Sequence, residues 1–444
     1  MLYRPFPVLA FLLVCLSGCF VIDNQFTGLP PGPWRGVLEL DPSNVTPNPK
    51  GQPLPEKLNL KFEEVSGGEL PFNFEVIYDS ETEFHIEIIN GEERIRVDDI
   101  VMGRDPQTAK DTVLINFPIF DSFFRGVYEE DVIEGTWVVK NRENYSIPFV
   151  AHFGQAHRFT TLRKTPVMNV SGQWKAMFEL ETDTPFPAIG EFQQDGNHLL
   201  GTFRTETGDY RYLEGTVQAD KLYLSCFDGS HAFLFEGKIQ ADSTILGIFR
   251  SGTHYQTLWE AERDPTFELT DPDSLTFLKE GYEELSFSFP DQDGNIISLD
   301  DERFEGKAKV IQITGTWCPN CRDETRFLID FVKNNPSDDI QVIALSFEKY
   351  QDEAEGLRAI RTYRDKMQLP YPILYAGYYD PESAAAALPA LDHIMSYPTM
   401  IFLDQNNRVL KIHTGFNGPA TSKYDEFIAD FNKTVQSLQI AQER

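Results

Sequence analysis

The spacing of apolar residues changes character once along the chain. Between about residues 33 and 264 they fall in short runs, rich in aromatic and β-branched residues and separated by turn-forming dipeptides. Runs at 84–89, 113–117, 210–217 and 221–227, with turn signals at Asp195-Gly196-Asn197, Gly208-Asp209 and Asp228-Gly229, predict a predominantly antiparallel β region. From about residue 285 strand and helix patterns alternate instead. Residues 308–314 read as a β-branched strand, and 322–333 as a helix with Phe327, Leu328, Phe331 and Val332 on one face, stopped by Asn334-Asn335-Pro336. A buried strand at 340–347, a helix at 352–368 with acids first and bases later, and a short strand at 371–375 follow. A hairpin of 399–403 and 409–413 and an amphipathic helix at 422–438 complete the pattern, and Pro389 predicts a broken helix within 384–395.

The β region repeats. Gly32-Pro33-Trp34-Arg35 to Glu39-Leu40 and Gly172-Gln173-Trp174-Lys175 to Glu179-Leu180 share the pattern G-x-W-[RK]-x-x-x-E-L. Phe124-Arg125-Gly126 with Ile133 to Trp137 matches Phe235-Glu236-Gly237 with Ile245 to Phe249. Two related antiparallel units are expected, each a meander closed into a barrel or sandwich, which hides sheet edges. The opening Gly-x-Trp is similar to that of small ligand-binding barrels such as lipocalins and avidin, although a first-strand Trp serves more often as a core plug. Cys226 is expected as a small buried residue on a strand.

The first residues bear on compartment. A single basic residue, Arg4, an apolar run from Val8 to Leu16 and then Leu16-Ser17-Gly18-Cys19 resemble a bacterial lipoprotein signal, with cleavage before Cys19 and lipid on it. The apolar run is short for a membrane span. The expected organisation is a signal peptide at 1–18, a tether at 19–32, β units at 33–165 and 166–264, an acidic linker at 265–284 and an α/β unit at 285–444. This places the protein in the bacterial cell envelope, lipid-anchored, at the outer membrane or facing the periplasm. The net charge of −30 without a Lys/Arg cluster excludes a nucleic-acid partner.

The chemistry concentrates at Trp317-Cys318-Pro319-Asn320-Cys321, directly after the strand at 308–314. Two thiols two residues apart at the start of a helix can close into a reversible disulfide. The helix N-terminus favours the thiolate of Cys318, the attacking species, and leaves Cys321 one turn deeper to resolve a mixed disulfide. A zinc site would need further ligands, whereas Cys15, Cys19, Cys226, His393 and His413 form no second cluster, so no metal is expected. A purely structural disulfide would close too short a loop to constrain the unfolded chain much.

Phe287 to Gly294, Ile297-Ser298-Leu299, Phe304 to Lys307, Trp317-Cys318 to Cys321, and Tyr397-Pro398-Thr399 together resemble the TlpA-like branch of thioredoxin-fold proteins, over about 285–438. The resemblance implies an exported, often membrane-tethered thiol-disulfide oxidoreductase with no cofactor beyond its Cys318–Cys321 couple. Its partners would be exported protein thiols or disulfides and an upstream electron donor or acceptor. It also implies that Pro398 is a cis-proline facing the disulfide, with Trp317, Pro319, Asn320 and Tyr397 contacting substrate. Glu324 takes the place of a buried acid that exchanges a proton with Cys321. Pro319-Asn320 departs from the family's frequent proline before the second cysteine, so the motif does not give the direction of electron flow. Two other readings stand beside it: a lipid-anchored binding protein that uses its β units, and a thiol peroxidase. The peroxidase pattern wants Thr three residues before the cysteine, where this chain has Gly315.

Overall fold

The computed structural model describes residues 28–40, 68–142, 144–336 and 339–442. Cys15, Cys19 and the expected signal and most of the tether lie outside the described residues. No described helix is long and apolar enough to cross a membrane.

Among the described residues the first unit has nine antiparallel strands: β1 (Gly32–Glu39), β2 (Glu69–Tyr78), β3 (Phe84–Asn90), β4 (Glu93–Val97), β5 (Ile100–Arg104), β6 (Asp111–Phe117), β7 (Ser122–Glu129), β8 (Val132–Val139) and β9 (Ser146–Phe153). Their order is β4-β3-β2-β1-β9-β8-β7-β6-β5. The sheet curls into a half-barrel that stays open between β4 and β5, so the expected closure is not reached in this unit. The second unit comprises β10 (Gly172–Phe178), β11 (Phe186–Asp195), β12 (His198–Thr205), the two-residue β13 (Gly208–Asp209), β14 (Leu213–Gln218), β15 (Lys221–Phe227), β16 (Ala232–Ile239), β17 (Ile245–Ser251) and β18 (Tyr255–Arg263). Here β11 pairs with both β10 and β12, and eight strands close into a barrel. The predicted strand at 210–217 begins only at Leu213, because residues 210–212 leave the sheet as a loop.

The barrel plugs the half-barrel. Side chains alternate between faces along a strand, and β15 is apolar on both: Leu222, Leu224 and Cys226 point into the barrel core, whereas Tyr223 and Phe227 join the half-barrel core. Phe227 packs against Phe72, Phe124 and Trp137 at ring separations of 4.7, 5.1 and 5.2 Å. The buried guanidinium of Arg158, on the connection between the units, donates to Ile89 O, Asn90 Oδ1 and Ser225 O. Trp34 and Trp174, the repeated tryptophans, are fully buried core residues, and each indole N–H donates to the carbonyl four residues earlier.

The third unit follows one 3₁₀ turn in the linker. After the short hairpin β19 (Ser288–Pro290) and β20 (Ile296–Ser298), a five-stranded sheet forms from β21 (Ala308–Thr314), β22 (Ile340–Glu348), β23 (Ile373–Tyr378), β24 (Thr399–Leu403) and β25 (Val409–Thr414). Its order is β23-β22-β21-β24-β25, with β21, β22 and β23 parallel. Helices α1 (Pro319–Asn334), α2 (Glu353–Met367) and α4 (Tyr424–Gln442) pack side chains into a core on one face, and α3 (Pro381–Ala387) into a core on the other. The expected broken helix is α3, which ends before Pro389. This is a thioredoxin-like α/β fold preceded by antiparallel β units.

Candidate functional site

Strand β21 is buried at every position and ends at Thr314, and the chain turns at Gly315 to present Cys318 at the start of α1. The helix begins at Pro319, three residues earlier than the apolar pattern indicates, because proline suits the first helical position. Cys318 is its N-cap: Sγ accepts the backbone N–H of Cys321 at 3.2 Å. A sulfur held there by an unpaired helix N–H is placed where a thiolate is stabilised. Cys318 and Cys321 form a disulfide, with Cα atoms 5.2 Å apart. Cys318 is 6% exposed and Cys321 fully buried, an asymmetry that leaves Cys318 as the sulfur nearer to solvent. The peptide bond Tyr397-Pro398 is cis, and the Tyr397 carbonyl oxygen lies 3.4 Å from Cys318 Sγ.

Two buried acids flank the disulfide. Glu324 accepts a hydrogen bond from Gln312 Nε2 at 2.9 Å, its other oxygen has no partner, and burial pushes its carboxyl up to about 8. The Gln312 amide also reaches Cys321 O at 3.4 Å, so β21 ties the acid to Cys321. Glu348, at the end of β22, accepts from Thr316 N–H, Thr316 Oγ1 and Ser346 Oγ, which fixes the loop leading into Cys318; burial raises its carboxyl as well. Gln312 and Glu348 were not expected from the sequence. The available signal was polar residues inside otherwise apolar strands, Gln312 between Ile311 and Ile313 and Glu348 after Phe347.

The Glu324 carboxyl makes stability depend on pH in a definite direction. Between about 4.5 and about 8 the folded chain holds a proton that the unfolded chain has released. Its contribution is therefore complete below 4.5, falls by about 1.4 kcal/mol per pH unit as pH rises, and is lost by about pH 8. Urea unfolding of the wild type and Glu324→Gln across this range should show the wild type losing stability relative to the variant.

The β units cover one side of the motif. Arg211, from the barrel loop before β14, donates to Pro319 O at 3.2 Å and pairs with Asp323 of α1, Glu93 of the half-barrel and Asp228 of the barrel. Burial opposes its charge, but Asp323, Glu93 and Asp228 outweigh that and hold the guanidinium protonated. Asn320 Nδ2 donates to Asp209 O at 2.9 Å, Ser230 Oγ to Trp317 O at 3.2 Å and Ser396 Oγ to Thr207 O at 2.6 Å. Gly208 must be glycine at this contact: its φ is +136°, and a Cβ there would stand 2.7 Å from Asn320 Nδ2. Pro319, Asn320 and the Trp317 carbonyl are thus engaged by the barrel, whereas the rings of Trp317 and Tyr397, packed at 5.7 Å, stay partly exposed.

Residues 279–428 match the Redoxin family model. The thioredoxin-like protein YneN of Bacillus subtilis (strain 168) is 28% identical over 138 residues, 31% of this chain and 73% of that protein. The thiol-disulfide oxidoreductase ResA of the same organism is 22% identical over 31% of this chain and 69% of its own length. Among solved structures, a thioredoxin-family thiol:disulfide interchange protein from Chlorobium tepidum TLS is 21% identical, with a TM-score of 0.28, over 36% of this chain and 97% of that one. The match takes in the cysteine pair and most of the third unit, so that over residues 279–428 the chain matches the Redoxin family and is similar to thioredoxin-like thiol-disulfide oxidoreductases, which supports oxidoreductase activity.

Proposed function

We propose that the protein exchanges thiols and disulfides with exported proteins, with Cys318 attacking and Cys321 resolving, while lipid on Cys19 holds it at the bacterial cell envelope. The observation that carries the chemistry is the N-cap position of Cys318, its sulfur receiving the Cys321 N–H beside the cis Tyr397-Pro398 bond. In the reduced protein the Cys318 thiolate attacks one sulfur of a target disulfide. The target S–S bond breaks, a mixed disulfide forms, and the other target sulfur leaves as a thiolate. Cys321 then gives up its proton and attacks Cys318 Sγ, restoring the internal disulfide and releasing the target reduced by two electrons. Run in reverse, the same steps oxidise a target dithiol.

Glu324 suits the proton step, because a buried carboxyl raised to about 8 can both hold and give up a proton near neutral pH beside Cys321. Pro398 and Tyr397 form the wall against which an extended target chain lies. The lipid on Cys19 and export rest on the leader sequence alone.

Cys321→Ser should accumulate a covalent adduct at Cys318 with disulfide-containing target proteins, visible as a band lost on reduction. An absence of adducts with any disulfide substrate would sink the proposal, and rapid peroxide consumption with sulfenate at Cys318 would favour a peroxidase.

A further inference from the structure

The chain is strongly acidic, with a formal net charge of −30, yet the uncovered flank of the disulfide gathers cations. The Lys349 ammonium stands 4.1 Å from the centre of the Trp317 ring and 5.8 Å from that of Tyr379. Tyr379 and Tyr397 pack edge-on against Trp317, and together the three rings make an aromatic shelf beside Cys318. The half-barrel adds Arg142, from the turn between β8 and β9, whose guanidinium lies 5.0 Å above the Tyr145 ring. Tyr145 Oη is 3.3 Å from Nδ1 of His254 in the barrel's β17–β18 turn.

These groups feel one another across the three units. Burial, then Arg142, His231 and Lys349, push His254 down to about 3, and burial with Arg142, partly opposed by Glu348, pushes Lys349 down to about 8, still protonated at neutral pH. The carboxylates nearby are committed elsewhere. Asp228 is bound to Arg211 and His231, Glu348 accepts from Thr316 and Ser346, and Asp380 caps α3. Among the described residues neither Arg142 nor Lys349 makes an ion pair.

A partly desolvated positive charge held in no direct ion pair is stabilised by an incoming anion, and more strongly than in water. The barrel closes the Pro319–Asn320 side through Arg211 and Asp209 and holds the backbone at Trp317 and the Ser396 side chain, leaving the partly exposed Trp317 and Tyr397 rings as the face across which a target approaches Cys318. We infer that Lys349 and Arg142 select polypeptide targets that carry an aspartate or glutamate close in sequence to the reacting cysteine. The inference deepens the exchange reading above and rests on it. The remaining negative charge of the protein is screened beyond about 8 Å at physiological salt, so the preference is local.

The test uses the full chain and two synthetic disulfide peptides that differ only in glutamate against glutamine beside the cysteine. At physiological salt, where the distant acidic surface is screened, kcat/KM should favour the acidic peptide by roughly tenfold, the scale of one charge-assisted contact. The Lys349→Gln/Arg142→Gln double variant should bring the ratio close to one, and Lys349→Arg should keep the preference. Equal rates for the two peptides in the wild type, or a preference that survives the double substitution, would overturn the selection. If the wild type exchanges neither peptide, the Cys318 reading itself falls and the selection with it.

Discussion

Cys318→Ser should remove disulfide exchange altogether, lowering kcat/KM for a disulfide substrate by at least about three orders of magnitude, the scale on which loss of a nucleophile is felt. The reason is positional as much as chemical. Cys321 is fully buried behind Cys318 and has no approach for an incoming sulfur, so it cannot take over the attack. A serine at the N-cap still accepts the N–H of residue 321, and the fold should tolerate it, since serine is a strongly preferred N-cap residue. Loss of activity with an unchanged urea midpoint is the expected pair of readings. A variant that retains a substantial fraction of wild-type exchange would show that the attacking sulfur lies elsewhere.

The second large effect belongs to Arg211, where the three units meet. Its side chain is 1% exposed and faces Asp228 at 0%, Glu93 at 10% and Asp323 at 15%. Removing one cation takes the shared partner from three carboxylates in a region of low dielectric, leaving Asp228 only His231 and Asp323 only the exposed Arg326. Arg211→Ala is therefore expected to cost about 3–5 kcal/mol, as when one member of a buried ion cluster is deleted. Lysine should recover only part of this, because a single ammonium does not offer the forked donors that reach Pro319 O and the carboxylates together. Urea unfolding gives the stability. Alkylation of reduced Cys318 gives the consequence at the site, and its rate should rise as the barrel loop loosens from Pro319 and Asn320. An Arg211→Ala chain as stable as wild type would mean that the buried ion cluster adds nothing to what the other contacts between the units supply.

Much of this could be read along the chain. The pair Cys318 and Cys321 and the alternating strands and helices after residue 285 are local patterns, and local patterns survive in sequence. The repeat was legible for the same reason: Gly126 faces Gly135, and Gly237 faces Gly247, as cross-strand partners in equivalent strand pairs. What stayed hidden depends on contacts between units. Tyr223 and Phe227 alternate with Leu222 and Leu224, and such a doubly apolar strand announces burial on both faces without saying which neighbour covers the outer one. Arg211 meets Pro319 across 108 residues, and no spacing rule links them. Gly208-Asp209 reads as an ordinary turn signal, while in the fold it is a docking strip against Asn320.

The measurement that bears most directly on the central claim is equilibration of the intact chain with graded glutathione or dithiothreitol buffers, followed by rapid alkylation and intact mass. Cys318 and Cys321 should become alkylated together in a single two-electron transition, with buried Cys226 unmodified throughout. A pair that stays oxidised in every buffer, or two sulfurs that are alkylated independently of each other, would contradict a Cys318–Cys321 redox couple.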